Sequence, residues 1–508
     1  MTSSGTEATR TAVGLRSERG PVLLAVMLCV GLVAIEATII ATAVPSIVAD
    51  LGGFASFPWL FSIFLLAQAV SVPIYGKLSD SLGRRPIMFV GIGLFLVGSV
   101  LCGAAWSMPV LIAARAVQGL GAGAIFPMSM TIVGDLYSVE ERSRVQGYVA
   151  SVWGISSVVG PTLGGLFAQY LSWRWIFFVN IPLGFIAVAM LLHSFHEQVE
   201  PRRHRIDYAG ATLLVVGCSL LILALLEGGS SWAWMSVPGV SIVVTGVLVL
   251  VAFVLVERRA AEPVLPLWVF RRRVLVGASA VSFAVGALMI GLTSYVPTYA
   301  QGVLGADAVT AGFALAAMTI GWPIAASQAG RLYMRVGFRD TCLVGTVFLL
   351  AGGAGLLTLG SGSSVWEVAT HSFLIGLGLG LIASPSLVAI QSVVEWERRG
   401  VVTGTSMFAR SIGSALGIAV FGAIANATLA RRFAAPPEGL TGELPSSADD
   451  AAVVLDGGSS GGAALDAFVR SGLTDASQHV FIGVAVLAVL TVGAVLLLPR
   501  RTEPLSFD

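Results

Sequence analysis

Charged side chains are scarce in this sequence, and three stand inside long apolar runs, where their chemistry is constrained. Glu36 interrupts the run 21–43, about 15 residues and so roughly 22 Å along a helix. An ionised group buried in a bilayer costs on the order of 2.5–3.5 kcal/mol on insertion scales. A carboxyl kept there has two uses. It can exchange a proton, being neutral in an apolar pocket at one moment and attracting a cation at another. It can also form a fixed salt bridge that ties two helices together. Arg115, inside the run 108–133, is the candidate partner, because a guanidinium stays charged at working pH. Paired with Glu36 it would make proton release depend on conformation; alone it would be structural. Arg410, in the middle of the run 400–426, would favour anionic or zwitterionic groups. His371 can titrate, although a single buried histidine ordinarily serves packing.

Other chemistries lack their residues. There is no H-E-x-x-H, no G-x-S-x-G and no cluster of His and Asp that would serve a membrane enzyme. No P-loop is present, so ATP hydrolysis is not the energy source. Cys29, Cys102, Cys218 and Cys342 form no C-x-x-C pair, which argues against a disulfide framework and a zinc site. No metal or organic cofactor is expected. If Glu36 exchanges protons, a proton gradient could do work through it: each proton entering gains about 2.3 kcal/mol per 100 mV, enough for a concentration ratio of roughly fifty.

The elements that hold these residues follow from composition. Of 508 residues, 56% are hydrophobic and 11% charged, with a mean hydropathy of +0.89. A soluble protein carries roughly 25% charged residues, so a water-facing surface cannot be covered and a soluble fold is excluded. The formal net charge of +1 gives no bulk attraction to nucleic acid. Apolar runs of about 20 residues, the length of a membrane helix, occupy 21–43, 57–75, 86–106, 108–133, 145–168, 174–195, 206–227, 236–256, 274–300, 309–333, 341–360, 365–394, 400–426 and 479–499. Fourteen membrane helices are expected, with no β-barrel pattern. With the N-terminus inside, 23 of the 29 basic residues fall in cytoplasmic segments, so both termini are expected in the cytoplasm. The first run resembles a signal peptide only superficially, because it is too long and Glu36 interrupts it.

Repeats organise the helices. Gly76-Lys77-Leu78, Gly83 and Arg85 recur 254 residues later as Gly330-Arg331-Leu332, Gly337 and Arg339. Glu140-Glu141-Arg142-Ser143 with Gly147 recurs, offset by 257, as Glu397-Arg398-Arg399-Gly400 with Gly404. The expected organisation is a tail (1–20), a six-helix bundle (21–200), two inserted helices (201–260), a second six-helix bundle (261–500) and a tail (501–508). Parallel repeats of this kind place the substrate site at their interface near mid-membrane. Residues 431–478, rich in Gly, Ala, Ser, Pro and Asp, read as a flexible outer loop with a short helix near Ala463–Ser471.

Several stretches resemble the major facilitator superfamily, in its fourteen-helix drug:proton antiporter branch. Gly76-Lys77-Leu78-Ser79-Asp80-Ser81-Leu82-Gly83-Arg84-Arg85-Pro86 is similar to the signature between helices 2 and 3. Arg115-Ala116-Val117-Gln118-Gly119 is similar to the helix 4 signature, and Gly154 with Gly160-Pro161-Thr162-Leu163-Gly164-Gly165 to the antiporter signature of helix 5. Trp173 to Pro182, Asp207-Tyr208-Ala209-Gly210 and Glu262-Pro263-Val264-Leu265-Pro266-Leu267 resemble the fourteen-helix branch. The branch usually has Asp-x-Thr in helix 1, whereas this chain has Glu36-Ala37-Thr38; the extra methylene moves the carboxyl outward.

The resemblance implies an all-α membrane protein of two six-helix bundles with two inserted helices. It implies a proton antiporter that exports hydrophobic or amphipathic drugs or natural products from the cytoplasm, with small molecules, protons and the lipid bilayer as partners. Such a protein would act as a monomer and confer antibiotic resistance. A carrier of one dedicated solute (a siderophore, lipid or self-made antibiotic) is the alternative; a receptor would leave Glu36 and Arg115 without a purpose. Asp80 would hold the N-terminus of helix 13 near Gly400, latching the bundles on the cytoplasmic side, while Met334 occupies the acid's position in the second copy. Gly160, Gly164 and Gly165 permit close helix approach and Pro161 permits a bend; packing and a gating hinge explain them equally. Cavity candidates are Gln68, Phe126, Trp153, Tyr295, Tyr299, Trp322, Phe408 and Arg410, the aromatic rings suiting flat cations.

Overall fold

A computed structural model describes residues 14–52, 59–197, 207–228, 232–233, 235–260, 263–265, 267–434 and 462–500. Glu262 and Pro266, both tails beyond these limits and most of the expected outer loop lie outside the described residues. Fourteen helices of fifteen residues or more follow one another among them. They are α1 (Gly20–Leu51), α2 (Trp59–Leu82), α3 (Arg84–Gly103), α4 (Met108–Leu136), α5 (Val139–Tyr170) and α6 (Asn180–Ser194, after the turn Trp175–Phe178). Next come α7 (Tyr208–Glu227), α8 (Val237–Glu257), α9 (Arg273–Gly302), α10 (Ala308–Val336), α11 (Phe338–Leu356), α12 (Val365–Ser392), α13 (Arg399–Phe433) and α14 (Gly462–Leu496). Twelve spans are long and apolar enough to cross a membrane by length and composition. The apolar stretch of α7 is shorter, and α11 begins with Arg339 and Asp340.

Local sequence sets where helices start. Pro21 opens α1 where its missing N–H costs nothing. Ser138 and Glu141 form a reciprocal capping box at α5. Asp207, Ser236, Asp307 and Ser364 cap α7, α8, α10 and α12 with side-chain oxygens. Gly83 and Gly337 separate α2 from α3 and α10 from α11 with φ of 96° and 88°, a backbone conformation that a side chain would strain. The two repeats therefore break their chains at the same place by the same device.

Two expectations change. Residues 76–82, expected in a loop, are the last two turns of α2, because only Gly83 leaves helical geometry. Residues 462–478, expected in the loose outer loop with a short helix near Ala463–Ser471, are helical throughout: that helix is the start of α14 and runs on without a break. Leu465, Val469, Leu473, Ala476 and Val480 are all buried, at a spacing that gives one apolar helix face.

Within the first half α1 packs on α5 and α6, and α4 on α2 and α3; within the second α9 packs on α13 and α14, and α12 on α10 and α11. The halves meet along two seams, α2 with α13 and α5 with α10. The inserted α7 rests on both α2 and α13, while α8 packs on α7. Leu248, Val251 and Leu255 on α8 are exposed, as expected of a lipid-facing helix.

Candidate functional site: a buried ion pair and an interhelical latch

Glu36 sits halfway along α1 and is completely buried. Its Oε1 is ion-paired with Nη1 of Arg115 on α4, and its Oε2 accepts a 2.6 Å hydrogen bond from Nδ2 of Asn180 on α6. Arg115 also donates from Nη1 to Gln118 Oε1 at 2.7 Å and from Nε to the Leu60 carbonyl at 3.0 Å. Its guanidinium lies over the Phe64 ring, 4.2 Å from the centroid. Gln118 and Asn180 meet at Ser99, which accepts from Gln118 Nε2 at 2.9 Å and from Asn180 at 3.3 Å. Five helices thus converge on one carboxylate, inside the first bundle.

Glycines make this convergence possible. A Cβ on Gly119 would lie 2.5 Å from the Phe64 carbonyl oxygen, so its absence lets α2 bring Leu60 and Phe64 against Arg115. A Cβ on Gly98 would lie 2.5 Å from the Gln118 backbone, which explains how Ser99 reaches Gln118. The spacing of Arg115, Gln118 and Gly119 therefore encodes a charge, its hydrogen-bond partner and the clearance that both need. Breaking a buried pair by removing one partner costs about 3–5 kcal/mol. The one exchange that leaves neither charge stranded is proton gain by the carboxyl together with relocation of Arg115. Asn180 has one signal in the sequence, a polar residue within the apolar stretch Ile176–Leu183.

The expected latch is also present. Asp80, in the last turn of α2, accepts from the backbone N–H groups of Gly400 and Val401 at 2.8 and 2.7 Å. These are the first free donors of α13, where the helix dipole favours an anion. Arg84 pairs with Asp80 at 3.0 Å and with Asp135 at 2.9 Å, donates to the Trp396 carbonyl at 2.6 Å and covers the Trp396 ring at 3.7 Å. Arg399 joins Asp135 from the second half at 3.0 Å. Arg85 lies outside this cluster, donating to the Leu192 carbonyl. The Lys77 side chain is only partly buried.

Asp135 was missed in the sequence. It ends α4, where the dipole disfavours an acid, and that local conflict was its signal. The N–H groups of Arg84 and Arg85 are capped by Glu197 at 3.0 and 2.9 Å, because Gly83 has no side chain with which to cap.

The second seam repeats the first without its acid. A Cβ on Gly76 would meet the Gly400 carbonyl at 2.8 Å, and one on Gly330 would meet Ser143 Oγ at 1.9 Å. Gly330 follows Gly76 by 254 residues and Gly400 follows Ser143 by 257, so the contacts are related by the internal repeat. Tyr333 donates from its hydroxyl to the Val139 carbonyl, while Met334 is exposed.

On α5, a Cβ on Gly154 would lie 3.4 Å from the Thr319 carbonyl oxygen of α10, whereas Gly160 lies against α1, where a Cβ would be 2.0 Å from Thr38 Oγ1. Pro161 falls inside the continuous helix α5, Gly164 is buried, and Gly165 faces open space. The signature therefore mixes a seam contact, an intrabundle contact and an unpacked position.

The cavity candidates divide. Phe126 and Trp153 stack edge to face at 6.3 Å, and Arg410 lies 5.2 Å from the Trp322 centroid. Gln68 and Tyr295 are partly buried. Tyr299 is fully buried, hydrogen-bonded to the Gly360 carbonyl at 2.7 Å and packed on Phe481 at 5.5 Å, so it has no surface left for a ligand. Phe408 packs with Val70, Leu214 and Phe253 where the inserted pair meets α2. Tyr299 therefore belongs to packing, whereas Phe408 is only partly buried.

Two related bundles, clasped at one end by shared charges and holding an ion pair within one of them, define a polytopic helical membrane carrier. The family model for the Major Facilitator Superfamily matches residues 26–418, and the chain belongs to that superfamily. It is 34% identical over 414 residues to the multidrug transporter protein MdtP of Bacillus subtilis, covering 82% of this chain and 76% of the relative. It is 35% identical over 403 residues to multidrug resistance protein 3 of the same organism, covering 79% of each. The efflux pump FUS6 of Gibberella fujikuroi is 32% identical over 419 residues, covering 80% of this chain and 75% of the relative. The crystal structure of the human organic anion transporter MFSD10 (TETRAN) superposes with a TM-score of 0.63 at 16% identity, over 94% of this chain and 99% of that one. The protein is a transporter and not an enzyme.

Proposed function

We propose that this transporter exports hydrophobic or amphipathic small molecules across the cytoplasmic membrane in exchange for protons. It spans the bilayer fourteen times with both termini in the cytoplasm, works as a monomer and alternates access by rocking its two bundles. The observation that carries this reading is the ion pair of Glu36 and Arg115, completely buried and tied to Asn180 and Gln118. A structural tie alone does not need a carboxylate with each oxygen on a different helix. A group that must lose and regain a proton does, because each partner then reports the protonation state to its own helix. Closure of the Arg-rich end, by Asp80 on α13 and by Gly330 against Ser143, supports a state in which exchange occurs from the other face. The names of the relatives support drugs or natural products as cargo.

Substrate-induced proton release from purified protein tests the reading. Wild type should release protons on adding a substrate such as a lipophilic dye, and Glu36→Gln should release none. Equal release from both would remove Glu36 from coupling. Export that survives an uncoupler would remove the proton gradient itself.

A further inference from the structure

Arg410 is an arginine inside a membrane-spanning helix for which no carboxylate partner is found among the described residues. It lies at the twelfth position of the 35-residue α13. The arginines that are buried among the described residues each have one or more strong acceptors: Arg115 has Glu36, Arg84 has Asp80 and Asp135, Arg399 has Asp135, and Arg142 has two backbone carbonyls. Arg410 has a 3.3 Å contact to the Met289 sulfur and the Trp322 ring face. A thioether is a weak acceptor, and a guanidinium presents five N–H donors in a planar fork.

The remaining donors are not sealed away. Arg410 is only partly buried, and none of its nitrogens is among the buried polar atoms that lack a partner; apart from the Nη2 contact to Met289, part of its donor fork opens on accessible space. The direction of that space follows from the faces of α13. Gly413, Ser414 and Gly417 face α9, and Gly400 and Gly404 face α2. Arg410 reaches past Met289 of α9 to Trp322 of α10. It therefore enters the space between helices of the second bundle rather than turning to the lipid or to either membrane surface. A charge held at that depth is costly, and long arginines elsewhere relieve the cost by reaching an interface; this one does not.

We propose that Arg410 is the anion-recognising element of the substrate site, so that the preferred cargo carries a carboxylate, sulfonate or phosphate beside an aromatic or aliphatic body. The unused N–H fork matches a planar or tetrahedral oxyanion in two-point contact. The Trp322 indole and Met289 thioether hold the guanidinium in place and offer apolar surface to the rest of the ligand. A cation would meet an uncompensated like charge. This assignment rests on the export reading above, whose cargo it narrows.

Two probes that differ only by an anionic group test it, 1-anilinonaphthalene-8-sulfonate and the neutral N-phenyl-1-naphthylamine. Binding to the full-length protein in nanodiscs is measured by equilibrium dialysis, with lipid-only discs subtracted and no pH gradient applied. Wild type should bind the sulfonate more tightly than the amine. Arg410→Gln should weaken the sulfonate at least tenfold (about 1.4 kcal/mol) and leave the amine within twofold, which also shows that the variant is folded. Arg410→Lys should recover part of the loss, since a point charge replaces a fork. Equal wild-type affinity for both probes, or equal weakening of both by Arg410→Gln, would overturn the anion assignment and leave export of amphipaths standing. Binding of neither probe to wild type would overturn both.

Discussion

In the proposed rocking cycle the clasp between Asp80 and α13 would set how readily the Arg-rich end opens, and Asp80→Asn isolates its worth. The carboxylate accepts two backbone N–H groups and pairs with Arg84. Hydrogen bonds to a charged group contribute about 1.5–3 kcal/mol each. Asparagine retains one carbonyl oxygen and loses the charge, while Arg84 keeps Asp135 and the Trp396 carbonyl. The net loss is therefore about one charged bond with part of an ion pair, or about 3 kcal/mol. Such a loss changes the closed-to-open ratio roughly a hundredfold, so a population about 99% closed would become about half open.

Spin labels on Leu82→Cys and Met334→Cys, which are exposed on opposite halves, report the separation by pulsed electron resonance. The native cysteines need not be removed, because all four are buried. Wild type should give one short distance, and Asp80→Asn a second, longer one of comparable weight. An unchanged distribution would mean that the clasp does not hold the end closed, and the assignment of Asp80 would fall.

Glu36→Ala should lower thermal stability strongly, by about 3–5 kcal/mol, because Arg115 is left buried without its charge partner. The double variant Glu36→Ala/Arg115→Ala should be less destabilised than the two singles summed, and additive melting shifts would refute direct coupling. Gly160→Ala should destabilise the α1–α5 contact by about 1–3 kcal/mol, whereas Gly165→Ala should leave the melting temperature unchanged, since nothing faces it; the reverse order would contradict the packing. Asp50, at the end of α1 beyond its apolar span, is held below the usual carboxylate range by hydrogen bonds from Arg174 and Trp173. Its small stabilisation is present above the ordinary carboxylate pKa and lost as pH falls through the lowered value. Asp50→Asn should therefore matter at neutral pH and not in strong acid, as melting curves against pH would show.

Much of the scaffold was legible in the sequence because a membrane imposes a simple rule: apolar length marks a helix, and the spacing of Arg-rich turns marks the repeat. The pair of Glu36 and Arg115 was legible for the same reason, since two opposite charges in apolar helices require each other. Asn180 was not, because an amide carries no charge and its role depends on α6 crossing α1 at one height. Asp135 was hidden by its place at a helix end, where an acid reads as solvated until the arriving arginines are seen. The short helix near Ala463–Ser471 was legible, but its continuity with α14 was not, because Gly472, Thr474, Asp475 and Ser477 interrupt the apolar pattern; burial of Leu465, Val469 and Leu473 against neighbouring helices outweighs their weak helix propensity. The packing role of Tyr299 was not legible, because an aromatic residue at helical spacing does not reveal which neighbour it faces.

The position of α7 bears on the surrounding lipid. Any motion that parts α2 from α13 threatens to open a slot through which acyl chains could slip sideways into the transport path. Because α7 lies along both helices at that seam, with Ala69, Ile222 and Ala415 gathered in one apolar contact, it behaves as a gasket. Were the seam to part in the proposed cycle, α7 would have to stay across the gap to keep acyl chains out, and α8, packed on its outer side, would meet the membrane instead.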